Sequence, residues 1–236
     1  SAGSYLKWDG NEWTSEWIPY RDGGIKAIWA SSPEDVWFVG DKGSIVHYDG
    51  SGFTRIKSGT EVDLTDIYGI DKDHIWIGGN NTSDARSVLI GILGRTPQIL
   101  YQRYTDGSNN LNDDRTWSPH IETLWAPPSS NRLLIAGGWG FYEINHHKEM
   151  IEYNRQMIAH FSYYPEKMRG THSNNLFIVG DNATVYHFNG IGWHWYENIF
   201  NTSIRFTSIS LIKSSITIVG YDRSSILRRA IILKGS

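Results

Sequence analysis

Three acidic residues are the side chains in this sequence that could carry out hydrolysis. Asp66, Glu122 and Glu166 lie in three short segments of one kind, which read TDIYG, ETLWA and EKMRG. Glycoside hydrolysis uses a pair of carboxyl groups at a set separation, and the acid of the pair has a raised pKa. Glu122 and Glu166 share a register, whereas Asp66 is offset by one residue and should point to the other face of its strand. A glycosidase therefore requires these carboxyl groups to converge within about 10 Å.

A second group of polar and aromatic residues suits the recognition of a sugar or a peptide. It combines amide, carboxylate and guanidinium groups with aromatic rings in segments rich in turn-forming residues. The alternative role of the rings is to cover the ends of a core, and that of the polar groups is to form turns. The candidate ligand-binding residues are Asn80, Trp117, Trp139, Asp41, Asp181, Tyr221, Asp222 and Arg223.

The composition argues against several functional classes. The 236 residues include no cysteine, which excludes disulfides, thiolate metal sites and a cysteine nucleophile. The net charge of −3 argues against a dedicated nucleic-acid-binding protein, and no apolar run is long enough for a transmembrane helix. No metal site or cofactor is expected, because no H-x-x-x-H or H-E-x-x-H pair occurs. His47 and His187 occupy one position of a repeat, which favours a structural role such as hydrogen bonding.

An internal repeat indicates the elements that must position these residues. The segment DVWFVGDKGSIVHYDGSGF from Asp35 aligns without a gap with NLFIVGDNATVYHFNGIGW from Asn175. Weaker copies occur elsewhere, and the five copies are marked by Gly40, Gly79, Gly137, Gly180 and Gly220, which we number as blades one to five. A period near forty residues filled with short strands is the size of one propeller blade. The sequence therefore predicts an all-β, five-bladed β-propeller of four-stranded antiparallel blades, forming one domain over residues 1–236.

Each blade is expected to contain strands a to d. In blade one these are Ile25–Ala30, Val36–Gly40, Ser44–Tyr48 and Phe53–Ile56. The Asp-Gly and Asn-Gly pairs between strands c and d favour type I′ turns, in which both central residues have positive φ. We expect Glu12–Ile18 to be strand d of the last blade, so that the N-terminal strand closes the propeller. Two segments, YLKWDG near the N-terminus and RRAIILKG at the C-terminus, compete for strand c of that blade.

The repeat D-V-W-x-V-G-x-x-G-x-I-x-H-Y-D-G-x-x-F/W resembles that of a class of bacterial propeller proteins. These include two-component-regulator sensor propellers and photosystem II assembly-factor-like or sialidase-like repeat proteins. The match is strong in blades one and four and partial in the other three. The resemblance implies a binding or assembly module located outside the cytoplasm, periplasmic, cell-surface or secreted, or a lipoprotein. It implies no catalytic residue. The sequence opens on SAGSYLKW, so we expect any secretory leader to lie outside it.

The longest repeat interval indicates where a ligand could bind. The 58 residues between Gly79 and Gly137 place extra length in two segments, Asn80–Ser87 and Thr105–His120, which should emerge on the same face. We therefore predict a non-catalytic recognition or assembly module whose partner is a protein, peptide or glycan, and not a nucleic acid. The alternative is a carbohydrate-active propeller, either a lectin or an inverting glycosidase.

Overall fold

The computed structural model describes residues 3–19, 23–81, 83–84, 86–94, 96–103, 120–128, 130, 132–137, 140–145, 150–152, 163–224 and 226–235. The chain divides into two compact units, Ser1–Asp114 and Arg115–Ser236. The described residues hold five antiparallel blade sheets and one further hairpin, and their helical segments are two short 3-10 turns, Asp41–Gly43 and Glu197–Ile199. The all-β, five-bladed propeller class predicted from the repeat is confirmed.

The first unit contains a hairpin and two four-stranded blades. The hairpin strands are β1 (Gly3–Trp8) and β2 (Trp13–Ile18). Blade one has strands in the order of the chain, β3 (Ile25–Ser32), β4 (Asp35–Gly40), β5 (Ile45–Tyr48) and β6 (Phe53–Ile56). Blade two follows the same order with longer outer strands, β7 (Leu64–Asp71), β8 (His74–Asn81), β9 (Arg86–Leu93) and β10 (Thr96–Arg103). The boundaries predicted for blade one therefore agree with the structure to within two residues.

The second unit contains three blades with the same strand order. Blade three comprises β11 (Ile121–Trp125), β12 (Arg132–Gly137), β13 (Gly140–Asn145) and β14 (Met150–Glu152). Blade four comprises β15 (Pro165–His172), β16 (Asn175–Gly180), β17 (Val185–Phe188) and β18 (Trp193–Trp195). Blade five has three strands, β19 (Ile204–Ile212), β20 (Ser215–Asp222) and β21 (Arg229–Gly235).

The marker glycines are required by a close approach between strands a and b. A Cβ atom added to Gly40 would lie 1.9 Å from the carbonyl oxygen of Gly24, and one added to Gly180 would lie 2.1 Å from that of Tyr164. A Cβ atom added to any of the other three marker glycines would lie 1.5 to 2.3 Å from a carbonyl oxygen at or just before the start of strand a. Because a backbone oxygen cannot move aside as a flexible side chain can, a residue with a Cβ would force the strands apart. This contact explains why glycine recurs at the same position of strand b in each copy.

The N-terminal segment differs from its prediction. Trp13–Ile18 does not act as strand d of the last blade, because it pairs with β1 along its whole length. Ile18 is buried against Phe38 and Val46 of blade one, so the hairpin packs on that blade. Blade five accordingly has three strands, and its third is the C-terminal segment Arg229–Gly235. The segment YLKWDG instead forms β1 and the turn that follows it.

The core lies between blades that follow one another in each unit. Val39 and Ile45 of blade one pack against blade two, and Val179 and Val185 of blade four pack against blade five. The corresponding residues of blade five are Val219 and Ile232, and they are 36 % and 61 % exposed. The same repeat positions are thus buried in blades one and four and exposed in blade five.

Candidate functional site

An ion-pair cluster at the b–c ends of blades four and five includes two of the predicted ligand-binding residues. Oδ1 of Asp181 lies 3.3 Å from Nη1 of Arg223 and 3.5 Å from Nε of Arg205. Arg205 also pairs through Nη2 with Oε1 of Glu166. All four side chains are between 18 % and 36 % exposed, so the cluster is partly dehydrated but open to solvent. We call Glu166, Asp181, Arg205 and Arg223 the rim cluster.

Backbone hydrogen bonds fix the positions from which these side chains extend. Asp181 follows the last residue of β16, and its N–H donates to the carbonyl of Tyr164 at 3.0 Å. It also forms an isolated bridge with Arg205 on β19. The N–H of Arg223 donates to the carbonyl of Ser203 at 2.6 Å. The cluster is therefore preorganised on paired strands rather than carried by loop side chains alone.

Glu166 reaches the cluster because of a β-bulge. The register of β15 against β16 shifts between Pro165 and Lys167, which leaves Glu166 as the extra residue. The same shift surrounds Glu122 in blade three, between Ile121 and Thr123. The shared register predicted for these two glutamates is confirmed. The bulge was not predicted from the sequence. The signal that could have pointed to it is the strand-a segment, which recurs before each marker glycine.

The cluster perturbs the ionisation of its members. Burial raises the pKa of Glu166, and the nearby carboxylates of Glu122 and Asp181 raise it further, against the opposing effect of Arg205. Burial acts to lower the pKa of Arg205, but Glu166 and Asp181 outweigh it and the net shift is upward. Arg205 therefore stays charged. Removing Arg205 would leave the partly buried carboxylate of Glu166 without its paired cation.

Arg223 is, with Arg205, one of the two most exposed side chains of the rim cluster. Its Nη2 donates to Oδ1 of Asn182 at 3.2 Å and to the carbonyl of Thr202 at 3.2 Å, which holds the guanidinium plane at the rim. A guanidinium has five donors in a planar fork, so these contacts and the Asp181 pair do not use all of them. Such a fixed fork suits recognition of a carboxylate.

The other candidates of blade five lie beside the cluster in local roles. The ring of Tyr221 lies under the guanidinium of Arg228, 4.7 Å from the ring centroid. Oδ1 of Asp222 accepts the N–H of Ser224 at 2.7 Å, and this hydrogen bond lowers the pKa of Asp222. With Arg228 and Arg229 nearby on the same blade, this end carries more positive than negative side chains.

In the first unit, Asp41 is the blade-one counterpart of Asp181. Its Oδ2 accepts the N–H of Gly24 at 2.6 Å, and its Oδ1 lies 3.2 Å from Nζ of Lys26. Lys26 also reaches Oδ2 of Asp63 at 2.9 Å. In both blades, therefore, the carboxylate after strand b meets a cation. For Asp41 this is Lys26 of the same blade, and for Asp181 it is the two arginines of blade five.

The remaining candidates and loops fall in different places. Asn80 is a strand residue that is 6 % exposed, and its N–H donates to the carbonyl of Asp63 at 3.0 Å. The segment Asn80–Ser87, expected to be a loop, has both of its ends in strands, because β8 runs to Asn81 and β9 begins at Arg86. Trp117 and Trp139 lie outside the described residues, as does Thr105–His120 except for His120.

The three carboxyl groups proposed for hydrolysis have different partners. Asp66 is fully buried in the first unit, where its Oδ1 accepts the N–H of Ile67 at 3.0 Å. In the second unit, Oε1 of Glu122 lies 3.3 Å from Nε2 of His120, and Glu166 pairs with Arg205. The burial of Asp66 agrees with the prediction that it points to the opposite face.

The repeated histidines have the structural role predicted for them. Nε2 of His47 lies 2.6 Å from Oδ1 of Asp35, and Nε2 of His187 lies 2.8 Å from Oδ1 of Asn175. Each imidazole also stacks on an aromatic ring of strand b, at a centroid distance of 4.1 and 4.0 Å respectively. Within the described part of the chain, no group of three or more potential metal ligands is found, and no helix has the length and apolar character to cross a membrane.

Comparisons with known proteins identify the fold. No protein-family model matches the sequence, and no curated protein is similar to it. Among solved structures, the RRP9 WD40 repeats match 87 % of this chain with a TM-score of 0.58 and 9 % identity, and the chain spans 62 % of that structure. YCF48 from Cyanidioschyzon merolae matches 98 % of the chain over 76 % of its own, with a TM-score of 0.65 and 10 % identity. YCF48 bound to D1 peptide matches 92 % over 70 %, with a TM-score of 0.54 and 12 % identity. At these identities the similarity concerns the fold alone.

Proposed function

We propose that this chain is a non-catalytic recognition module that binds an acidic segment of a protein or peptide at the rim cluster. The observation that carries the proposal is the bridging of Arg205 and Arg223 by Asp181, which fixes a partly exposed guanidinium fork at the end of two blades. A ligand carboxylate beside Arg223 gains charge-assisted hydrogen bonds without a further ordering cost in the protein.

The structural neighbours support a binding role of this kind. One of them, YCF48, has been solved with a D1 peptide bound, so a propeller of similar fold accommodates a peptide. Binding on preformed strand ends requires little change of shape in the protein. A location outside the cytoplasm, which the sequence resemblance implies, belongs to the same proposal, and fractionation of the source cells with an antibody tests it.

Fluorescence anisotropy with labelled peptides tests the proposed ligand class. Decapeptides rich in Asp and Glu should bind, and matched peptides with Asn and Gln should bind at least about tenfold more weakly. Affinity for the acidic peptides should fall as NaCl rises from about 50 to about 500 mM, because the attraction is screened. Equal affinity for the acidic and amide peptides would contradict the proposal.

Variants of Arg223 locate the site. Arg223→Glu should weaken binding of the acidic peptides by about tenfold or more, and Arg223→Lys should give an intermediate value because it keeps the charge without the planar fork. Arg55→Glu, which makes the same change on exposed β6 of blade one, is the matched control and should bind normally. If Arg223→Glu and Arg55→Glu bind alike, the rim cluster is not the site.

A second candidate function is the binding or hydrolysis of a glycan through Glu122 and Glu166. The observation in its favour is the shared bulge register of the two residues together with the raised pKa of Glu166, which suits a general acid. Release of reducing sugar from a panel of glycans, lost in Glu166→Gln, would support it. Absence of turnover by the unmodified protein would leave the binding module as the function.

A further inference from the structure

A pocket of about 230 Å³ opens between blades three and four. It lies at the opposite end of blade four from the rim cluster, because Ser173 and Asn174 at its mouth precede β16 and Asp181 follows that strand. Its walls combine polar groups, among them that of Arg132, with the apolar side chains of Leu134, Phe141, Leu176, Phe188 and Trp193. The pocket is therefore not part of the rim cluster.

The repeat shows what covers the same wall in blade one. Tyr48 and Phe53 correspond to Phe188 and Trp193, and the N-terminal hairpin packs over them. The ring of Tyr5 lies 6.0 Å from that of Phe53 in an edge-on arrangement. Nζ of Lys7 lies 5.8 Å from the centre of the Tyr48 ring. In blade one, therefore, one aromatic and one lysine side chain of the hairpin fill the equivalent space.

Blade three fills only half of that space. Phe141 stands at the position of Tyr5, with its ring edge-on at 5.5 Å from Trp193. Glu143 stands at the position of Lys7, but Arg132 holds its carboxylate through two hydrogen bonds, one of them 2.6 Å between Nε and Oε1. Glu143 is 5 % exposed and does not line the pocket. The volume that Lys7 covers above Tyr48 thus stays open above Phe188.

We infer that this pocket binds an uncharged aromatic side chain presented by a peptide. The walls offer ring edges and faces to a further ring, which adds to the area of apolar surface buried. Charge complementarity argues against an ammonium group, because Arg132 and Glu143 neutralise each other and Asn174 replaces Glu34 of blade one. Ser173 and Asn174 provide polar groups at the mouth for the backbone of the ligand. This site is separate from the rim cluster and does not depend on it.

Methyl NMR with a minimal ligand tests the inference. N-acetyltyrosinamide should shift the methyl signals of Leu134 and Leu176 in a saturable way, with a Kd of about 1 mM for so small a ligand. N-acetylleucinamide should bind at least about fivefold more weakly, because it cannot make the ring contacts. Equal shifts by both ligands would overturn the aromatic class, and an absence of saturable shifts would overturn the site.

Two matched variants separate loss of the site from loss of stability. Trp193→Ala removes one wall and should abolish the shifts, whereas Trp193→Phe, which restores the residue type of blade one, should keep them. Phe53→Ala makes the equivalent change in blade one and should bind normally. Arg223→Glu should also bind normally, so that failure here is distinguishable from failure of the proposed acidic-peptide site. Retention of the shifts in Trp193→Ala would overturn the inference.

Discussion

Blades one and four are the closest copies of the repeat, and three of the differences between them concern polar contacts or packing. In blade one the stacked His47 faces the carboxylate of Asp35, whereas in blade four His187 faces the amide of Asn175. The turn between strands c and d is capped by Asp49 in blade one and by Asn189 in blade four. The third difference is the cover of one face, which the hairpin seals in blade one and which is an open pocket beside blade four.

The comparison shows that the two copies keep the same stacking and turn hydrogen bonds, whereas the polar side chains that make these contacts differ in charge. Both histidines stack on a ring of strand b with nearly the same centroid distance. Both turns have the side-chain oxygen of their first residue accept two backbone N–H groups. An amide oxygen and a carboxylate oxygen serve equally as hydrogen-bond acceptors, so the fold accepts either Asn or Asp at these positions. The exchange of one for the other nevertheless changes how the stability of the protein responds to pH.

The largest effect is expected where the two blades are alike. Gly180→Ala would bring a Cβ within 2.1 Å of the Tyr164 carbonyl, and we expect it to lower the free energy of unfolding by about 3 kcal/mol. Gly192→Ala in the same blade is the control, because nothing lies within 4 Å of its added Cβ. Urea denaturation measures both. Equal urea midpoints for Gly180→Ala and Gly192→Ala would show that the close approach of strands a and b does not limit the stability of the protein.

A smaller loss of stability is expected for substitutions of valine, and it should differ between blade four and blade five. Val179 is fully buried and Val219, at the same repeat position, is 36 % exposed. Val179→Ala should therefore cost about 2 kcal/mol through lost burial and a cavity, and Val219→Ala less than about 1 kcal/mol. Shifts of the urea midpoint give both values. A Val219→Ala shift as large as that of Val179→Ala would indicate that another sheet covers blade five in solution.

Exchanging the histidine partner should transfer the blade-one arrangement to blade four. Burial lowers the pKa of His187, and His194 lowers it further. The unfolded state therefore takes up a proton first, and this group reduces stability as the pH falls through about 6.5. Asn175→Asp should raise the pKa of His187, because the carboxylate favours the charged ring. NMR titration of the ring measures it, with His172 as the internal control. An unchanged titration would contradict the pairing.

The smallest effect is expected at the turns. Hydrogen bonds from the hydroxyl and N–H of Ser51 and from the N–H of Gly52 lower the pKa of Asp49 to about 2. Its stabilisation is present above the unfolded pKa near 4 and is lost as the pH falls toward 2. Asp49→Asn should flatten the stability profile in that range and leave stability at pH 7 unchanged. Asn189→Asp should add acid sensitivity to blade four. Thermal unfolding at pH 2 to 5 compares them, and profiles that do not change would contradict the capping role.

The candidate site was predictable only in part. Asp181 and Arg223 were identified from their place after strand b, and the shared register of Glu122 and Glu166 was evident from the alignment of strand a. The participation of Arg205 in the rim cluster could not be predicted. It depends on the lateral distance between blades four and five, and no periodicity of the sequence encodes that distance. Asn80 was misplaced for a related reason. Extra residues in blade two lengthen its strands, and a turn-rich composition does not distinguish a long hairpin from a loop.

The sequence by itself determined the repeat, the five blades and the positions of the turns between strands c and d. The predicted type I′ geometry of these turns was wrong, because Gly50 and Gly190 have a positive φ but Asp49 and Asn189 do not. Glycine spacing and alternating apolar residues act within a few residues of one another, and the strand-a carbonyl makes glycine obligatory at one position of each copy. Only the tertiary structure decided the partner of the N-terminal strand, the exposure of Val219 and the pocket beside Phe188. These depend on which surface packs against a sheet, and the local pattern of the strand is the same whether that surface is present or absent.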